Sequence, residues 1–145
     1  MVNNINFFLM FVTVMVFCFI CHEDIIRRRI PNSQILLVFM LLLIDMFMLE
    51  RDFNYVFLMF MIVFMLFLYS LGGIGGGDIK LMISISPFVP TGCELLFFQI
   101  VAFWGGVIAI VFKLWALQKD NKEKVFLPYG LAISLGFITC FILTV

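Results

Sequence analysis

Six apolar runs joined by short polar connections occupy almost all of this 145-residue chain, and they leave it few ways to fold. They cover about residues 5–21, 35–49, 53–71, 79–89, 95–117 and 126 to the C-terminus. A helix crossing a bilayer upright needs about 20 apolar residues, with a range of about 17–25. The third, fifth and sixth runs meet that length. The second does so if its helix starts near Pro31, where proline suits a first helical turn. The fourth is short, so it either begins inside the glycine run before it or is a half-crossing supported by its neighbours. The expectation is an all-α, polytopic membrane bundle of about six transmembrane helices, a single domain over residues 1–145. Composition agrees: 65% of the residues are hydrophobic and 12% charged, against about one quarter charged in a soluble domain. The formal net charge is zero, which argues for no nucleic-acid partner; the lipid bilayer is the expected surrounding.

The first run lacks a basic leader and a small-residue cleavage site, and His22, Glu23 and Asp24 follow it directly, so it reads as a retained helix rather than a signal peptide. Basic residues set the orientation. Arg27, Arg28 and Arg29 fill the first connection, Lys80 the third, and Lys119, Lys122 and Lys124 the fifth. Arg51 in the second stands between Glu50 and Asp52, and the fourth has no Lys or Arg. Odd connections are therefore expected on the cytoplasmic side and both termini outside.

Two acids stand out in that frame. Asp78 follows the run Gly72-Gly73-Ile74-Gly75-Gly76-Gly77 and precedes Ile79-Lys80; Asp24 ends the first apolar run. The two are separated by two crossings, so they lie on the same side of the membrane at similar depth. A charge at the edge of a bilayer core is costly and marks a functional site by default. Two carboxyl groups in contact cannot easily both ionise and share one proton. The ionised member can take a proton from water while the protonated one polarises a scissile carbonyl, the chemistry of an aspartyl protease. Glycines beside Asp78 let a substrate strand approach the backbone closely. Lys80 either holds this segment at the interface or sits near the acids.

Plainer readings exist for each residue. Asp78 could cap a helix, and Asp24 could be a solvated acid paired with an arginine. His22, the one histidine, argues against a multi-histidine metal site and reads as interfacial. Cys18 and Cys21 read as helix packing, with Cys93 and Cys140 standing alone. Asp45, inside the second run, either reaches the outer headgroups or makes a buried polar contact. Gly105 and Gly106, and Gly130 with Ser134, are small residues that let helices approach. The glycine run has Asp78 where a phosphate-binding loop needs lysine, and no Gly-x-Ser-x-Gly elbow occurs. No metal or other cofactor is expected.

Three patches together resemble the type IV prepilin peptidases and the related archaeal preflagellin peptidases. Asp24-Ile25-Ile26-Arg27-Arg28-Arg29-Ile30-Pro31-Asn32 is similar to that family's aspartate followed seven residues later by proline in an Ile-Pro-Asn ending. Gly75-Gly76-Gly77-Asp78-Ile79-Lys80 is similar to its second, glycine-rich aspartate motif, and Leu127-Pro128-Tyr129-Gly130-Leu131-Ala132-Ile133 to the segment opening its last helix. The resemblance implies that Asp24 and Asp78 are the catalytic pair. Gly75, Gly76, Gly77, Lys80, Pro31, Asn32, Pro128, Tyr129 and Gly130 are expected to shape the site or contact substrate. It also implies cleavage of the short basic leader of a prepilin-like protein at the cytoplasmic face of the cell membrane. The chain looks like the compact, peptidase-only form of tight-adherence pilus systems, without the zinc-binding or methyltransferase portion of longer members. Two other classes remain: a signal-peptide-peptidase-like protease, whose Tyr-Asp and Pro-Ala-Leu motifs are missing, and a non-enzymatic carrier or assembly factor. The sequence leaves the oligomeric state open.

Overall fold

The structure, a computed structural model, describes residues 2–27, 29–72, 74–118 and 129–143. Six α-helices account for most of them: α1 Val2–Arg27, α2 Asn32–Leu49, α3 Tyr55–Ser70, α4 Gly76–Ile85, α5 Glu94–Gln118 and α6 Tyr129–Ile142. A short 3-10 turn, Ser86–Phe88, extends α4. Within α1, α2 and α5, the stretches Phe7–Arg27, Asn32–Leu49 and Glu94–Trp115 are long and apolar enough to cross a membrane, with mean hydropathies of 2.0, 2.0 and 2.4. The chain is a helical membrane bundle.

The helix limits follow local chemistry. Pro31 stands just before α2 in extended backbone, one place earlier than the expected first helical turn, and its carbonyl accepts from Gln34 and Ile35 at 3.1 and 3.3 Å. α2 ends where Glu50 turns left-handed at φ 50°. α3 covers 16 residues, fewer than its apolar run, because the chain from Arg51 to Asn54 stays uncoiled and Asn54 caps the helix by accepting from the Phe57 amide at 3.0 Å. The same Asn54 donates from its amide to Glu94 Oε1 at 2.7 Å, and its backbone N–H reaches the Pro87 carbonyl at 2.9 Å. One residue thus ties the starts of α3 and α5 to the 3-10 turn. α6 has 14 described residues, and the part of its run before Tyr129 lies outside the described residues, as do Arg28, Gly73, Lys119, Lys122, Lys124 and Pro128.

α4 begins inside the glycine run, at Gly76, and is still of half-crossing length, so both options read from the sequence apply. Its 10 residues rise only about 15 Å, half a bilayer core. It is central nonetheless, packing against α2, α3 and α6, while α1 lies against α2 and α6, and α5 against α6. Leu81 and Ile85 of α4 are fully buried beside Phe17, Phe97 and Phe137 from α1, α5 and α6. Apolar bulk also covers the outside: Phe7, Phe47, Val56, Val63 and Phe103 are largely exposed, as suits a bundle whose surroundings are lipid. Asp45 makes the buried contact: it is 2% exposed and pairs with Arg51 Nε at 3.5 Å, while the Arg51 guanidinium lies 4.5 Å from the Phe141 ring centre.

Candidate active site

Asp24 occupies the last turn of α1 and Asp78 the first turn of α4. They are 6% and 7% exposed, and close enough for their charges to interact. Asp24 is buried, and among the described residues no arginine pairs with it. Arg27 pairs instead with Glu23, one turn away on the same helix, at 3.2 Å. Asp24 Oδ2 accepts the backbone N–H of Gly130 at 2.8 Å.

That hydrogen bond explains a glycine. A Cβ at Gly130 would stand 2.7 Å from Asp24 Oδ2 and 3.2 Å from Ile30 Cδ1, so no other residue fits without displacement. Ser134, one turn on, donates to the Gly130 carbonyl at 2.7 Å and braces the same turn. Gly77 is packed almost as closely, since its Cβ would meet Ile30 Cβ at 3.4 Å. The buried Ile30 therefore lies between Gly77 of the second patch and Gly130 of the third, and all three patches meet around one side chain. Sequence reading passed over Ile30, although its place in Ile-Pro-Asn beside a turn was the available signal.

The remaining candidates divide. Gly75 precedes α4 in extended backbone, and Gly76 opens the helix toward free space. Asn32 begins α2 and accepts a hydrogen bond from Lys80 Nζ at 3.1 Å. Lys80 is exposed and pairs with neither acid; its hydrogen bond to Asn32 joins α4 to α2. Tyr129 opens α6 with its ring against α5, 3.2 Å from where a Gly105 Cβ would be. Gly105, read from sequence only as a packing position, thus brings Tyr129 against the helix wall near Asp78. His22 is exposed on α1, and Cys18 and Cys21 lie on the same helix, the first exposed and the second half-buried.

Asp78 sits at the N-terminus of its own helix, and Asp24, in the last turn of α1, faces the N-terminus of α6. Aligned peptide dipoles favour negative charge there, by about 0.3–1 kcal/mol at an exposed end. A hydrogen bond to a charged group is worth more, about 1.5–3 kcal/mol, and among the described residues only Asp24 of the two receives one. The arrangement is thus asymmetric: one carboxylate held by a fixed donor, the other facing an apolar groove between α3, α4, α5 and α6.

A helical membrane bundle with two neighbouring buried acids at one end is the class of protein these features define. A family model described as the type IV leader peptidase family matches residues 9–110, and the chain belongs to that family. It is accordingly a leader-peptidase-like protease embedded in a membrane. The match takes in Asp24, Ile30 to Asn32 and the glycine-aspartate patch; Tyr129 and Gly130 lie beyond it and join the site through the Asp24 contact. Neither a curated protein nor a solved structure matches the chain significantly.

Proposed function

We propose that this protein is an aspartic endopeptidase of the cytoplasmic membrane that removes the short basic leader of a prepilin-like protein, with Asp24 and Asp78 as its catalytic pair. The observation that carries the reading is the burial of two interacting carboxyl groups from separate helices, one of them held by the Gly130 amide. Asp24, with the hydrogen bond that favours its charge, is the ionised member. It accepts a proton from a water placed between the acids, and that water's oxygen attacks the scissile carbonyl carbon. Asp78, protonated, gives its proton to the carbonyl oxygen as the tetrahedral intermediate forms. Collapse breaks the C–N bond: the proton on Asp24 passes to the leaving amine, and the gem-diol returns a proton to Asp78. Leader and mature protein separate with the acids in their starting states.

The basic residues Arg27 and Arg29 near α1's end, with Lys80, support a cytoplasmic position for this end of the bundle. The leader would then be cut where the substrate enters the membrane. The test is incubation of the purified protein in detergent with a prepilin, reading the new N-terminus by mass spectrometry. Release of one mature N-terminus immediately before the apolar helix is expected; an intact prepilin would reject the reading.

A further inference from the structure

The groove that holds the Asp78 side chain has a shape the proposed reaction does not by itself require. α3 and α5 are bridged at one end by aromatic rings: Phe98 lies 5.7, 6.1 and 5.9 Å from Phe57, Phe60 and Phe64. Beyond that plug the wall between them opens into a cavity of about 350 Å³, which continues to Asp78 and Tyr129. One wall is a strip of small residues on α5, namely Ala102, Gly106 and Ala109, at spacings of four and three. They share a helix face and span about 10 Å along the axis. Gly105 of the same region is spent against Tyr129, but Gly106 is exposed and a Cβ there would touch nothing within 4 Å.

Small strips of this spacing let a second helix approach closely in a membrane, yet no helix among the described residues occupies this one. The buried Asp78 carboxyl, which has no hydrogen-bond partner among the described residues, stands in the same groove. A second groove of about 500 Å³, lined by Asn32, Phe39, Lys80 and Pro87 among others, has neither acid in its wall. The cavity is too small for a whole helix, and at the lower end of the range for ligand pockets, about 300–1,000 Å³. It suits the side chains on one face of a helix.

We propose that this α3–α5 groove is the docking surface for the apolar helix that follows the scissile bond of the substrate, with Gly106 at its contact point. The inference rests on the peptidase reading above. A substrate helix lying on Ala102, Gly106 and Ala109 presents its N-terminal end to Asp78, so the groove sets which bond meets the acids. Its apolar walls select a membrane-inserted segment; the basic leader stays outside.

The test uses the full-length protein in proteoliposomes and two substrates: an intact prepilin, and a soluble peptide with the leader and only the first few mature residues. Gly106→Leu places a side chain in the groove, and the Cβ it adds meets no atom within 4 Å. It is expected to lower kcat/KM for the intact prepilin by about tenfold or more, the scale of forcing a side chain into a filled contact. The loss should lie mainly in KM, with the short peptide cut as by wild type and Gly106→Ala intermediate. Equal rates for Gly106→Leu and wild type on the intact prepilin would overturn the groove, as would equal losses on both substrates. Failure of the wild type to cut either substrate would instead reject the peptidase reading, and the groove with it.

Discussion

The backbone amide of Gly130 and the carboxylate of Asp24 meet at 2.8 Å across the bundle, joining the start of the last helix to the end of the first. Substitution of Gly130 tests what this contact does. The Cβ of Gly130→Ala would stand 2.7 Å from Asp24 Oδ2 and push the carboxylate off its donor. Loss of a hydrogen bond to a charged group, about 1.5–3 kcal/mol, translates into a fall of about ten- to a hundredfold in leader cleavage. Protein levels in the membrane should stay near wild type. Unchanged cleavage would show that the Gly130 contact is packing alone.

The pH dependence follows from the shared proton. Below the range in which one acid is ionised, both carboxyls carry protons and no base remains to activate water. Above it both are charged, and no acid remains to polarise the carbonyl. A bell-shaped kcat/KM profile is expected, measured on a detergent-solubilised sample with a peptide substrate whose own groups do not titrate in the range. A profile flat from acid to neutral pH would count against the pair.

How much of this was legible beforehand varies from residue to residue. That Asp24 and Asp78 share one end of the bundle followed from counting apolar runs and placing the arginines; both are buried there, near enough for their charges to interact. The start of α4 at Gly76 and its half-crossing length stood as alternatives, because ten residues are too few for periodicity to settle a helix limit. The approach of Gly130 to Asp24 was beyond periodicity altogether. It depends on how α6 leans on α1, and only the resemblance of the Pro-Tyr-Gly patch pointed there. Asp45 was undecidable because its partner, Arg51, lies past a left-handed turn at Glu50 that an apolar run does not announce.

That Asp45–Arg51 pair gives a stability prediction away from the acids. The Asp45 side chain is 3% exposed, so Arg51→Met strands a buried charge, at a cost of about 3–5 kcal/mol. Thermal unfolding in detergent should show a clearly lowered midpoint for Arg51→Met. Adding Asp45→Asn should restore most of it, since the stranded group is then neutral. A double variant no more stable than the single would remove the ion pair from the explanation.

Lys80 and Asn32 offer a coupling test. Their 3.1 Å hydrogen bond is exposed and worth about 1 kcal/mol at most. Lys80→Met and Asn32→Ala should each slow cleavage by severalfold at most, and the double variant should be no slower than the worse single one. Strictly additive losses in a double-mutant cycle would mean that the two side chains act separately.

The central claim is that Asp24 and Asp78 together perform the hydrolysis, and mass spectrometry of a co-expressed prepilin tests it most directly. Wild type, Asp24→Asn and Asp78→Asn are compared at matched membrane levels. Asparagine keeps the shape of each side chain and removes its ability to hold or release the shared proton. The account predicts a mature N-terminus with wild type and only the full leader-bearing form with either variant. Leader removal that survives either substitution would contradict it.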